Sequence, residues 1–236
     1  MIKVTPQSFF EFPIFKKFPN IVQVISTKEF GDTKFYSNFE VNSNFKKILA
    51  KLNPNLDYIA FGQVHGSEIA IVKKEDVGKV LAGFDGGITN FKNVAMAVFV
   101  ADCYPILAFE PKSQITGIAH AGWKGIKAGI VENLILGMKQ VSAKPQNIIL
   151  GVGPGICGCC YEVKEDVVSQ LKFIKKQNGK FYADLETEIV SRLIKLGAKK
   201  DNIETAGVCV FENESFYSAR HDKTQERFTA LIGMKE

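Results

Sequence analysis

Two of the three histidines end runs of strand-forming residues, Val64-His65 and Ala119-His120, and Cys103 follows the apolar run Val94–Val100. Imidazole and thiolate are good zinc ligands, and three protein ligands leave the fourth tetrahedral position open, the arrangement of catalytic zinc. The three residues are dispersed rather than paired as in a CxxC ribbon, so their spacing alone is a weak signal. Asp102, beside the thiolate, is placed to orient a ligand histidine. Two other chemistries stay open on these residues. His120 could activate Cys103 as a nucleophile, and a His2Cys set accepts copper when a weak axial ligand is present. A multicopper laccase, however, needs many more histidines than three. The plainest alternative is structural: a hydrogen-bonded histidine at a strand end, and a cysteine serving as a small hydrophobe.

Other segments are unusual in composition. Asp85-Gly-Gly-Ile-Thr89 starts as an Asp-Gly turn signal. Gly151-Val-Gly-Pro-Gly155 reads either as a tight strand exit or as a nest of backbone amides that binds an anion. Cys157, Cys159 and Cys160 crowd together behind it, with no histidine near and with Cys209 standing alone, which favours packing over a second metal. Trp123, the single tryptophan, suits either a base pocket or the core.

These residues must be held by strands that end at one place. Strand-like runs occur at Ile21–Ser26, Tyr58–Val64, Glu68–Lys73, Val94–Val100, Ile106–Phe109, Ile115–Ala119, Ile148–Val152, Thr205–Val210 and Arg227–Ile232. Apolar spacing predicts helices over Asn44–Leu52, Gly125–Gln140 and Asp184–Leu196, the last stopping at Gly197. Lys172–Lys176 and Lys195–Lys200 read as solvated helix faces. Runs of strands between isolated helices imply an α+β fold with mixed sheets layered against helices. The 236 residues need only one domain, 1–236.

The net charge of +5 is modest and spread out, so a nucleic-acid partner is not indicated. No apolar run approaches the ~20 residues that span a bilayer, and Met1–Pro13 lacks a basic head followed by an apolar run. Five cysteines, an odd number with three clustered, suit a reducing compartment, so the cytoplasm is expected. Nothing marks an interface, and a monomer is expected.

Gln63-Val-His-Gly66, Ala101-Asp-Cys-Tyr-Pro105, His120-Ala-Gly-Trp-Lys-Gly125 and Gly153-Pro-Gly-Ile156 with Cys160-Tyr-Glu-Val163 together resemble the YfiH-like laccase-domain family. Its members were once called polyphenol oxidases and are now regarded as purine nucleoside phosphorylases. The similarity runs in order from about Ile21 to Ser218-Ala-Arg220 and Arg227-Phe228. It implies a fold related to the deamidase domain of cytotoxic necrotizing factors. It also implies zinc on His65, Cys103 and His120. Cys103, His120 and the neighbouring Asp102 are the expected catalytic group. The implied activity is phosphorolysis of adenosine, inosine and S-methyl-5'-thioadenosine, accompanied by hydrolytic deamination of adenosine.

Phosphorolysis needs an anion site beneath the anomeric carbon, and the candidates are Arg220, Lys124 and the amides around Gly153 and Gly155. Asp85 and Glu162 are candidate acids or purine-recognition groups, and Arg227 is a further cation nearby. The chain departs from the family at two positions, carrying Lys124 and His221 where arginines are usual. Lysine keeps the charge but loses the bidentate fork, and His221 is cationic only part of the time near neutral pH. Outside the enzymes, the remaining alternative is a metal-stabilised binding module of cell-envelope metabolism.

Overall fold

The computed structural model describes residues 9–236, so the part of the leader expectation that falls on residues 1–8 lies outside the described residues. In chain order the elements begin with β1 (Ile21–Ile25), α1 (Ser43–Leu52), β2 (Asp57–Gly62), β3 (Ile69–Ile71), β4 (Val80–Ala82) and β5 (Gly86–Thr89). Then come β6 (Val94–Val100), β7 (Tyr104–Glu110), β8 (Ile115–Ala121), α2 (Trp123–Ala128), α3 (Ile130–Gln140) and β9 (Ile149–Val152). The chain closes with β10 (Glu162–Val163), α4 (Glu165–Val168), β11 (Ile174–Gln177), β12 (Lys180–Ala183), α5 (Leu185–Lys195), β13 (Ile203–Thr205), α6 (Ala219–Asp222) and β14 (Phe228–Met234).

Two mixed sheets dominate, one in the order β1-β14-β6-β2-β4 and the other β13-β9-β7-β8-β5-β3, beside a small sheet β10-β12-β11. The two-residue period of a strand sorts their side chains into layers. On β6, Met96, Val98 and Val100 meet Leu107 and Phe109 of β7 and Ile118 of β8 in the core between the large sheets. The alternate residues Ala95, Ala97 and Phe99 face Phe45, Ile48 and Leu49 of α1. Ile106 and Ala108 of β7 face Leu134 and Met138 of α3 and Ile189 of α5. Both large sheets are thus covered on both faces, and burying each large apolar side chain contributes roughly 1.5–3 kcal/mol. The result is the expected α+β architecture of mixed sheets and few helices. No helix among the described residues is long and apolar enough to cross a membrane.

Several boundaries differ from expectation for identifiable reasons. The helix expected over Gly125–Gln140 is two helices, because Gly129 takes a left-handed φ of 99° between α2 and α3. Asp85-Gly-Gly-Ile-Thr89 enters a buried strand rather than a turn. A Cβ on Gly87 would sit 2.3 Å from the Phe61 ring, so glycine there serves close approach. The Thr205–Val210 strand is only Ile203–Thr205, since Gly207 turns the chain at φ 59°. Lys172–Lys176 is not helical: Ile174–Gln177 pairs with Lys180–Ala183 across Asn178-Gly179, both at positive φ.

Candidate metal centre and its cleft

Strand register brings the chemistry together. Pro105 of β7 pairs with His120 of β8, so Cys103, just before β7, reaches the end of β8. Gly86 of β5 pairs with Ala119, which sets Asp85 alongside His120. His65 arrives on the loop after β2, where the Gln63 side chain imitates strand pairing. Its amide donates to Phe99 O at 2.9 Å, and its oxygen accepts from Phe99 N at 2.8 Å.

One ligand atom each from His65, Cys103 and His120 lie within 4.8 Å of one another. The imidazole rings of His65 and His120 stand edge to face with centroids 4.8 Å apart. This donor set and spacing fit a zinc ion held by three protein ligands with a fourth position open.

Asp85, with no exposed surface, organises the centre. Its Oδ1 lies 2.8 Å from His120 Nδ1 and accepts from His65 N at 3.0 Å. Its Oδ2 accepts from Val64 N at 3.1 Å and from Gly66 N at 2.7 Å. The carboxylate therefore fixes the ring of His120 and the backbone of His65. His65 sits at φ 60°, a conformation that is unusual for a residue other than glycine and that these amide bonds stabilise. Burial alone would raise Asp85, but the hydrogen bonds from His120, Gly66 and Val64 outweigh it and hold it below the usual carboxylate range. Burial likewise opposes charge on Cys103, yet His120 and His65 beside it bring the thiol down to about 6. Cys103 and Asp85 in turn raise His120 to about 9 against the effect of its burial.

The two aspartates stand in different places from those expected. Asp85 is the partner of His120 and, fully enclosed, has no face left for substrate. Asp102, expected to orient a histidine, instead accepts from Ser218 Oγ at 2.6 Å and from Arg220 N at 2.8 Å. It thereby ties the C-terminal segment to the cysteine turn. Burial raises Asp102 above its ordinary range.

The glycine-rich turn is not an amide nest. The Gly153 N–H donates to Pro105 O at 2.8 Å, and the Gly155 N–H points to Val208 O at 3.4 Å. A Cβ on Gly153 would come within 2.5 Å of Pro105, and one on Gly155 within 2.5 Å of Tyr104. Both glycines serve tight packing.

A cavity of about 430 Å³ opens on His65 and Cys103, with Asp102 on its wall and the cations Lys124, Arg220 and Arg227 around it. Trp123 and Tyr161 supply aromatic walls here and also line an adjoining cavity of about 360 Å³. Arg220 lies over the Tyr161 ring, 5.1 Å from its centroid, and donates to Glu162 O at 2.7 Å. The Glu162 carboxylate is taken by Lys180 at 2.8 Å on the surface. His221 does not line the cavity. It pairs with Asp222 at 2.9 Å and packs edge-on against Phe211. A larger cavity along α5, about 490 Å³, contains none of these groups. Sequence reasoning missed Tyr161 as a wall of the cleft, although it is the aromatic residue directly after the cysteine cluster.

Gly122 opens α2 against the ligands, and an added Cβ would lie 2.7 Å from Cys103 Sγ and 3.4 Å from His65 Cδ2. Gly122→Ala is therefore expected to lower metal affinity by ~10–100-fold, as misplaced ligand support does. Competition with a chromophoric chelator measures this, and circular dichroism should show an unchanged fold.

Residues 26–235 match the family described as multi-copper polyphenol oxidoreductase laccase, and the chain belongs to that family. Among relatives, a purine nucleoside phosphorylase of Deinococcus radiodurans is 35% identical over 75% of this chain and 70% of its own. Purine nucleoside phosphorylase YlmD of Bacillus subtilis is 32% identical over 84% of this chain and 78% of its own. The solved structure of YlmD from Geobacillus stearothermophilus superposes with a TM-score of 0.88 at 26% identity, covering 99% of this chain and 98% of that one. Hypothetical protein YfiH from Bacillus licheniformis gives 0.83 at 25% identity, over 91% and 93% of the two chains.

Proposed function

We propose that this chain is a zinc-dependent purine nucleoside phosphorylase acting on adenosine, inosine and S-methyl-5'-thioadenosine, with hydrolytic deamination of adenosine at the same centre. The observation that carries the proposal is the cleft itself: His65 and Cys103 of the His2Cys set open onto a wall of three cations and two aromatic rings. The names of the relatives support the phosphorylase part of this assignment.

Phosphorolysis forms a bond from a phosphate oxygen to the anomeric carbon and breaks the bond to the purine nitrogen, which leaves with the electron pair and takes up a proton. Positive charge builds on the sugar ring in the transition state, as in glycoside cleavage generally. Lys124, Arg220 and Arg227 provide the positive field that holds the attacking anion. Trp123 and Tyr161 offer faces on which a purine stacks. Asp102 positions Arg220 through its backbone amide. Zinc on His65, Cys103 and His120 would supply Lewis acidity and, for deamination, an activated water.

Two variants separate these roles. Arg220→Ala is expected to raise KM for phosphate by ~10-fold or more, since a charge-assisted hydrogen bond contributes about 1.5–3 kcal/mol. Its KM for nucleoside should change less. Lys124→Arg restores a bidentate fork and should lower KM for phosphate. Initial rates across a phosphate series check both.

A copper centre is the second assignment to weigh, because the family description names copper and a His2Cys set accepts it. Stripping the protein with a chelator and returning zinc or copper separately discriminates. Base release restored by zinc alone supports the proposal, whereas phenol oxidation restored by copper alone contradicts it. Activity that survives stripping and dies on alkylation of Cys103 would make the cysteine a nucleophile instead.

A further inference from the structure

A second set of ligand atoms lies away from the first. The turn Cys157-Gly-Cys-Cys160 faces the turn Cys209-Val-Phe-Glu212, and three sulfurs and one carboxylate oxygen lie within 4.8 Å of one another. Cys209, which stands alone in the sequence, is thus a member of the cluster. Each turn presents its two ligands three residues apart, the short spacing of zinc-binding knuckles. Each is closed by its own backbone bond, Cys160 N to Cys157 O at 3.0 Å and Glu212 N to Cys209 O at 3.3 Å.

The turns are also fixed to each other without a metal. Gly155 and Cys209 form a parallel bridge, with Val210 N donating to Gly155 O at 3.0 Å. Cys157 N–H donates to Cys209 Sγ at 3.2 Å. With metal–sulfur bonds of ~2.3 Å, neighbouring ligand atoms of a tetrahedral site stand ~3.8 Å apart. Rotamer adjustment within this rigid frame therefore suffices to close the set. The cluster opens on a cavity that Asp184 and Glu186 also line, which adds a negative field for a cation.

We propose that Cys157, Cys160, Cys209 and Glu212 bind a second zinc ion in a closed structural site. Three thiolates select a soft or borderline metal over magnesium or calcium, and four protein ligands leave no position for substrate. The ion ties the loop after β13 to the segment that runs into Tyr161, and so stiffens one wall of the cleft. Cys159 is outside the ligand set. It is exposed, with its sulfur 3.7 Å from that of Cys160, and serves as an internal control.

The test is zinc per chain by mass spectrometry of elements, on protein purified reduced, without chelator, and dialysed against zinc. The wild type should carry about two ions, and both Cys209→Ser and Glu212→Gln should carry about one. Cys103→Ala should also carry about one, retained at the second site. Alkylation of the wild type, followed by peptide mapping, avoids any variant that fails to fold. Cys159 should react quickly, while Cys157, Cys160 and Cys209 react only after chelation. One ion per chain that disappears in Cys103→Ala, with all four thiols alkylated at one rate, would overturn the proposal. So would a disulfide among these cysteines in the reduced protein. One ion that survives Cys103→Ala and disappears in Cys209→Ser would support the second site while removing zinc from the first.

Discussion

Cys103→Ala is expected to empty the His65/Cys103/His120 centre and to lower kcat/KM for phosphorolysis by ~10³-fold or more. Two imidazoles without the thiolate lose both the anionic ligand and the third point of attachment, and zinc sites open to substrate use three. Lewis-acid stabilisation of a developing charge is several kcal/mol, and ~4 kcal/mol corresponds to ~10³-fold in rate. The effect should fall on chemistry, not on folding. Cys103 is only half-buried and sits in a turn between two long, fully buried strands, each of which stays paired within its own sheet. Steady-state kinetics with zinc analysis on the same sample checks this, and thermal melting separates loss of metal from loss of fold. Retained phosphorolysis in Cys103→Ala whose His65/Cys103/His120 centre holds no zinc would remove that metal from the reaction.

Asp85 carries the second large effect, and it falls on stability as well as metal. Asp85→Ala removes a fully buried acceptor shared by three backbone amides and the buried His120 ring. Breaking a buried, hydrogen-bonded charge network by deleting one partner costs about 3–5 kcal/mol. Asp85→Asn keeps the size and one acceptor oxygen, but its amide group opposes the N–H donors around it. It should fold with a smaller loss and still bind zinc ~10–100-fold more weakly, because the orientation of His120 and the loop carrying His65 both depend on the carboxylate. Urea unfolding gives the first number and chelator competition the second. Wild-type stability in Asp85→Ala would mean that other groups hold the 64–66 loop.

The layered fold was legible where residue period and length speak plainly. The strand at Val94–Val100 and the apolar stripes of α1 and α5 appear where the sequence predicts them. Asn178-Gly179 was an equally clear hairpin signal, masked by the surrounding lysines. The breaks at Gly129 and Gly207 depend on left-handed backbone that composition alone does not reveal. At the site, His65, Cys103 and His120 could be picked out because each ends or follows a strand pattern. Their convergence depends on the pairing of β5, β7 and β8, which no local pattern specifies. The same reason hid the exchange between the two aspartates. Sequence proximity favoured Asp102 as the histidine's partner, whereas pairing of Gly86 with Ala119 gives that place to Asp85. It also hid Cys209, which joins the other cysteines through its bridge to Gly155 and the hydrogen bond from Cys157 N–H to its sulfur.

Incubation of zinc-loaded protein with adenosine, inosine and S-methyl-5'-thioadenosine, with and without phosphate, tests the central claim most directly once the products are separated by chromatography. The expected result is free purine base and a sugar phosphate that form only when phosphate is present and vanish in Cys103→Ala. Protein with a full complement of zinc that releases no base from any of the three, in saturating phosphate, would contradict it.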